Sequence, residues 1–377
     1  MEAKWIWENP HWPEYTFEVS RLVARLGAAR RAQGRLEMVV RLLDPALARE
    51  ALAEAMKVEG LSTSAIEGEV LNPESIAASV ARQLDLPRDP AVPLDPEAEG
   101  LVAVLHDAVQ SFRGPLTLAR LCGWQGGLFP GGWSDLHRVA AGRLRPGEVV
   151  VASGPVGRQT IHFEAVPRMR LEPEMDAFIA WFNGSQGSLD GLIRAGLAHL
   201  WLVTLHPFED GNGRIARALT DMALAQDGGR PDGLIRMSAR ILAVRKEYYA
   251  ALQEAQQPRH GLDATAWLGW FLTQLEAACA GSEQVIQKTL AKARFWSARR
   301  DLQLNERQRK VLNRLLDAGP GGFEGGLSAR RYGSITHSSK PTATRDLKDL
   351  LDTGCLVSRG LGGRSTSFEL PWEELLG

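Results

Sequence analysis

Cysteine is scarce. The 377 residues hold three, Cys122, Cys279 and Cys355, far apart and without Cys-x-x-Cys spacing. That excludes a zinc knuckle made of cysteines alone and offers no disulfide framework, so the thiols read as incidental or buried groups in a reducing compartment. Charge of one sign is also lacking: 44 Lys and Arg stand against 45 Asp and Glu, for a net charge of -1. No chain-wide field pulls the molecule towards nucleic acid or an anionic membrane, and any such surface must be local. Apolar runs break at His, Arg or Gly before they reach a membrane span. The opening Met1-Glu-Ala-Lys-Trp-Ile-Trp7 has no basic segment followed by an apolar one. A cytoplasmic chain with no membrane partner is therefore expected. No Gly-x-x-x-x-Gly-Lys-Ser/Thr loop occurs, which argues against a P-loop kinase or ATPase, and no solenoid repeat is visible.

What is present has ordinary globular composition and enough length for two or three compact units. Leu22, Val23, Leu26, Ala29, Leu36, Val39, Leu42 and Leu43 recur among Arg and Glu across residues 17 to 57, which predicts amphipathic helices. Trp5, Trp7, Pro10, Trp12 and Pro13 form an aromatic arm expected to pack on them. A further helix is expected over about 60 to 68, and another from Ile76 to Leu84 after the Asn72-Pro73 turn. Pro87, Pro90, Pro93 and Pro96 mark a linker.

From 97 to 285 the pattern is helical with one exception. Two short β segments, starting at Glu148 and Thr160, predict a small hairpin of the kind that covers a site. The apolar stretch Leu189 to Leu205 predicts a buried helix ending just before His206. After a helical run from Ala264 to Arg300, an Asn305 cap opens a helix, another follows Leu327, and a third spans Thr342 to Leu351. Cys355 to Ser358, a turn at Gly360 and Thr366 to Leu370 complete the order of a winged helix-turn-helix.

The chemistry concentrates in His206-Pro-Phe-Glu-Asp-Gly-Asn-Gly-Arg-Ile-Ala-Arg217. Pro207 stops the buried helix, and Asp210-Gly-Asn-Gly213 is a tight turn whose glycines permit close approach to a ligand. A new helix begins there, with Ile215, Leu219 and Met222 on its apolar side. Its first amides form an anion cradle. Arg214 and Arg217, three apart, share a face and can neutralise a polyphosphate. Asp210 can hold a magnesium ion between phosphates, and a neutral His206 can take the proton of an attacking hydroxyl. Base, metal ligand and anion cradle within twelve residues point to phosphoryl or nucleotidyl transfer.

This loop resembles the Fic (filamentation induced by cAMP) motif, His-Pro-Phe-x-Asp/Asn-Gly-Asn-Gly-Arg-x-x-Arg. The resemblance implies a protein adenylyltransferase that moves AMP from ATP to a target hydroxyl. It implies a base at His206, magnesium at Asp210 and phosphates at Gly211, Asn212, Gly213 and Arg214. Arg217 would take the γ-phosphate. The hairpin looks like the family's target-docking flap, with Ile161, His162 and Phe163 at its tip. Arg245 to Gln256 resembles the adenine-side helix, with Tyr248 and Gln256 as nucleotide contacts; many relatives carry Asn where this chain has Gln256. Thr63-Ser-Ala-Ile-Glu67-Gly68 resembles the inhibitory motif Ser/Thr-x-x-x-Glu-Gly/Asn, which implies that Glu67 pairs with Arg217 and competes with ATP. In some relatives the same Glu helps water remove AMP.

The expected fold is mainly α: an N-terminal helical segment over 1–84, a helical Fic core with a β-hairpin flap over 97–285, and a winged helix over 300–377. Arg330, Arg331, Lys340, Arg345, Lys348, Arg359 and Arg364 outnumber Asp346, Asp349 and Asp352 across its second helix, recognition helix and wing. This leaves two readings open for it, contact with DNA phosphates or docking to protein, including a homodimer. A whole-chain alternative is a DNA-binding regulator whose core only senses ATP. ATP and an unidentified target protein are the expected partners, and Mg2+ the cofactor.

Overall fold

The computed structural model describes residues 4–41, 43–88, 90–134, 137–153, 160–229, 234–359 and 367–376. Contacts divide the chain into two units, one of residues 1–42 and 51–282, the other of 43–50 and 283–377. The first holds α1 (Val19–Arg41) and, from residue 51 on, the long helix α2 (Pro45–Glu67). The helix expected over 60 to 68 is the end of α2. No proline interrupts it, and Gly60 is accommodated beside Ile76, whose methyl would lie 3.5 Å from an added Cβ. Then follow α3 (Pro73–Gln83), capped by Asn72, and α4 (Pro96–Gln110), capped by Asp95.

Next come α5 (Leu118–Leu128) and a hairpin of β1 (Trp133–Ser134) and β2 (His137–Arg138). The sequence reading missed this hairpin, because strands of two residues carry no alternation to detect. The expected hairpin is β3 (Val150–Ser153) and β4 (Thr160–Glu164), antiparallel, with Val151 opposite Phe163. Its turn lies outside the described residues.

Helices α6 (Arg168–Gly184), α7 (Gly191–Leu205), α8 (Asn212–Gly228), α9 (Met237–Ala243), α10 (Arg245–Ala255) and α11 (Thr265–Ala298) follow. The apolar helix foreseen from Leu189 is α7; Asp190 caps it, accepting from the Leu192 and Ile193 amides. Leu192, Ala195, Ala198, Leu200, Leu202 and Leu205 have essentially no exposed surface. Such burial contributes roughly 1.5–3 kcal/mol per leucine relative to exposure. Helix α7 packs most extensively on α8, so the loop joining them is held at both ends by buried helices. The aromatic arm grips elsewhere than foreseen: Trp5 meets Phe163 edge-on at 5.3 Å, and the Trp7 indole donates to the Glu164 carbonyl at 2.8 Å.

The second unit holds α12 (Glu306–Ala318), α13 (Ala329–Thr336), α14 (Lys340–Asp352), the antiparallel pair β5 (Val357–Ser358) and β6 (Phe368–Glu369), and α15 (Trp372–Leu376). Asn305 and Gln308 form a reciprocal capping box at α12. Val311, Leu312, Tyr332, Leu347 and Leu350 are among the residues of its own core. Two of the expected cations are engaged locally: Arg359 pairs with Glu369 at 2.9 Å, and Arg331 donates to the Glu324 and Gly326 carbonyls. Arg364 and the Gly360 turn lie outside the described residues. No helix among the described residues is long and apolar enough to cross a membrane.

Candidate active site

Helix α7 ends at His206, whose backbone turns left-handed at φ 48°, ψ 59° while its amide donates to the Leu202 carbonyl. Histidine is among the few non-glycine residues found in this region. Arg145, with no exposed surface, fixes the turn. Its Nε donates to the His206 carbonyl at 2.9 Å, and its Nη atoms donate to the Gly147 and Val166 carbonyls. One guanidinium thus ties the catalytic loop to the base of the flap. Sequence reasoning missed Arg145, because an Arg in Arg143-Leu-Arg-Pro looks solvated. We expect Arg145→Met to lower both nucleotide labelling at this loop and the unfolding midpoint. Charged hydrogen bonds contribute about 1.5–3 kcal/mol each, and this change removes three. Calorimetry and a labelling assay would read the two losses.

The loop is latched by Asn212. Its Oδ1 accepts the Phe208 amide at 2.9 Å and its Nδ2 donates to the Phe208 carbonyl at 2.8 Å. The Asn212 side chain is therefore spent on the loop itself, and the contact expected of the turn at this position falls to its backbone. Gly211 adopts φ 86°, where a Cβ would strain the backbone and lie 3.1 Å from Leu128 and Phe129. Gly213 opens room of another kind: a Cβ there would stand 2.3 Å from Glu67 Oε1. Asp210 accepts from its neighbour's amide and from the Ser134 hydroxyl, and its Oδ1 lies 3.8 Å from Arg214 Nη2.

Both arginines of α8 are already held by acids. Arg217, 1% exposed, donates to Thr63 Oγ1 at 2.7 Å, to the Thr63 carbonyl at 3.0 Å and to Glu67 Oε1 at 2.6 Å. Arg214 donates to Glu69 Oε2 at 2.6 Å. Gly68 ends α2 at φ 93°. Glu59, Thr63 and Glu67 recur every four residues, so one face of α2 addresses Arg217. Glu59 anchors that face by accepting from the Ser238 hydroxyl and amide.

Two clefts meet at Glu67. One, of about 650 Å³, is mostly apolar; His206, Val151, His162, Tyr248, Tyr249 and Gln256 are among its lining residues. The other, of about 490 Å³, is lined by Glu67, Glu69, Glu97, Ser134, Asp210 and Arg214 among others. Ile161 stands exposed on β4, but Phe163 is 3% exposed against Trp5 rather than at a tip. Ile161 and Phe163 share a face of the strand, and the Trp5 ring covers that face only at Phe163. Tyr248 is buried, with its hydroxyl 2.9 Å from His199 Nε2, and His199 Nδ1 lies 2.9 Å from Thr220 Oγ1. Gln256 donates to Thr204 Oγ1 at 3.3 Å.

Electrostatics follow from this burial. Burial lowers the His206 pKa to about 4, with the Arg145 charge helping and the Val203 carbonyl, Glu67 and Asp210 opposing. The imidazole is therefore neutral near pH 7, as a base requires. Burial works against the Arg217 charge, but Glu67, Tyr248 and Glu59 outweigh it and hold the guanidinium above its ordinary pKa. Burial raises Glu69 despite Arg214, with Asp210, Glu67 and Glu97 adding to the rise. Burial also raises Glu59 and Asp221, which lie beneath Arg217 near Arg236.

Residues 115–224 match the family described as Fic/DOC family. The chain carries a Fic/DOC domain. Residues 5–86 match a domain of unknown function, DUF4172. Among relatives, protein adenylyltransferase fic-1 of Caenorhabditis elegans is 36% identical over 118 residues, which cover 31% of this chain and 20% of the relative. A uridine 5'-monophosphate transferase of Xanthomonas campestris pv. campestris (strain 8004) is 32% identical over 135 residues, 34% of this chain and 24% of that protein. The stretches shared with the first adenylyltransferase relatives span 20 to 25% of those proteins. The crystal structure of a Fic family protein from Desulfovibrio desulfuricans G20 superposes with a TM-score of 0.56 at 19% identity. That match covers 96% of this chain and 98% of the other, and shows a common fold.

Proposed function

We propose that this Fic protein is an adenylyltransferase that moves AMP from ATP to a protein hydroxyl and is restrained by its own Glu67. The observation that carries the proposal is the position of His206. A neutral imidazole stands in one cleft with the start of α8, whose two arginines are held by displaceable carboxylates. The hydroxyl oxygen would bond to the α-phosphorus, its proton passing to His206. The bond from that phosphorus to the bridging oxygen would break, and pyrophosphate would leave with the electron pair. Arg214 and Arg217 would hold the triphosphate once released from Glu69 and Glu67.

Asp210 fits a magnesium ion, since magnesium commonly binds through one or two carboxylates together with substrate phosphates. Bound there beside Ser134, it would neutralise phosphate charge. The apolar cleft past Tyr248 and Gln256 would take the base, and the edge of β4 at Ile161 and His162 the target's main chain.

Incubation with α-labelled ATP tests the proposal: label should appear on protein and resist competition by unlabelled UTP. Preferential competition by UTP would favour the chemistry named for the Xanthomonas relative. Nucleotide binding without transfer, even after Glu67→Gly, would favour a nucleotide-sensing regulator. That second reading draws on the C-terminal unit, which we read as a winged helix; Lys340, Arg345 and Lys348 are exposed on its helix α14, where they could meet DNA phosphates.

A further inference from the structure

The inhibitory motif ends at Gly68, yet the chain supplies one more acid directly after it. The left-handed turn at Gly68 reverses the backbone, and the Glu69 amide donates back to the Ser64 carbonyl at 3.0 Å. The Glu69 carboxylate is thereby aimed at α8, where it accepts from Arg214 Nη1 at 2.6 Å. Arg214 is 6% exposed and lies over the Phe129 ring at 5.0 Å. Its Nε and Nη2 have no hydrogen-bond partner among the described residues, and neither has Nη1 of Arg217. Buried donors of this kind are costly unless something satisfies them, and guanidinium donors suit the oxygens of a polyphosphate.

Two carboxylates two positions apart thus hold two arginines three positions apart, and both carboxylates line the same polar cleft. Removing Glu67 alone would leave Arg214 engaged.

We propose that Glu69 is a second lock on the phosphate site, occupying Arg214 as Glu67 occupies Arg217. A nucleotide must then displace both acids, which flank Gly68. The proposal rests on the nucleotide-transfer reading and extends it to a residue outside the inhibitory motif. It makes the affinity for a triphosphate depend on two separable competitions for one pair of cations.

The test measures ATP binding by calorimetry with magnesium present, using the full chain in a His206→Asn background, which tolerates the left-handed backbone there, so that no turnover intrudes. Glu69→Gln keeps the side chain's size and removes its charge. It should tighten ATP binding on the order of tenfold, and together with Glu67→Gly it should bind tighter than either change alone. A Glu69→Ala protein may be compared through its ATP-induced rise in melting temperature, which reports affinity even if the apo protein is weakened; that rise should exceed the one seen with Glu69 intact. Unchanged or weaker binding in Glu69→Gln, with Glu67→Gly binding tighter, overturns the second lock and leaves the proposed function standing. Absence of ATP binding in every variant overturns both.

Discussion

Glu67→Gly should raise AMP transfer about a hundredfold or more, the effect of restoring a reacting group displaced by roughly one ångström. The expectation follows from how completely Arg217 is committed at rest. Its guanidinium is buried, and three acceptors on α2 take its Nε and Nη2: the Thr63 hydroxyl, the Thr63 carbonyl and Glu67. Glu67 itself keeps 30% of its side-chain surface exposed, so it can be removed without opening the core. A γ-phosphate cannot take Arg217 while that carboxylate remains at 2.6 Å, because the two anions would compete for one charge at contact distance. Glycine in the final turn of α2, next to Gly68, costs about 1 kcal/mol of helix propensity at most, and Thr63 still holds Arg217 in place. The gain should therefore appear as rate and not be masked by unfolding. Equal rates of label incorporation by the parent protein and the variant would sink the brake.

The loop was legible in the sequence because its chemistry is contiguous: twelve residues carry base, acid, glycines and arginines, and local spacing alone puts Arg214 and Arg217 on one face. Helix α7 was legible because a run so largely apolar leaves no polar face and admits only burial. What escaped was pairing across distance. Glu69 meets Arg214 across 145 positions and Arg145 meets the His206 carbonyl across 61, and neither partner betrays the other in one dimension. The loop-holding role of the Asn212 side chain escaped for a related reason. A polar residue in a ligand loop can face the ligand or hold the loop, and only the three-dimensional path of residues 208 to 212 decides. Phe163 was placed at the flap's tip with Ile161 and His162, because its contact with Trp5 is another pairing across distance. Phe163 instead packs edge-on against Trp5, so the N-terminal arm supports the flap.

Loss of the base should be the largest single decrease. Replacing His206 is expected to lower transfer by about 10²–10⁴-fold, the usual contribution of a positioned general base. The choice of substitute matters, because the residue occupies a left-handed conformation. Alanine strains there, whereas asparagine tolerates it, so His206→Asn isolates the chemistry from the backbone. If the Asn variant folds and binds nucleotide like its parent yet transfers nothing, the imidazole is the group that was lost. The pH profile offers an independent check whose sign is fixed by the environment. Burial favours the neutral ring and brings its pKa down to about 4. In the Glu67→Gly protein, where transfer is fast enough to follow, kcat/KM should hold level as pH falls through 6.5. It should decline only near the lowered value, because the base is lost when it is protonated. Removing Glu67 also removes a negative neighbour that favours the imidazolium, which pushes the limb further towards acid. A decline centred at 6.5 would mean that His206 titrates like a solvated imidazole, and the buried, neutral base inferred from the site would be wrong.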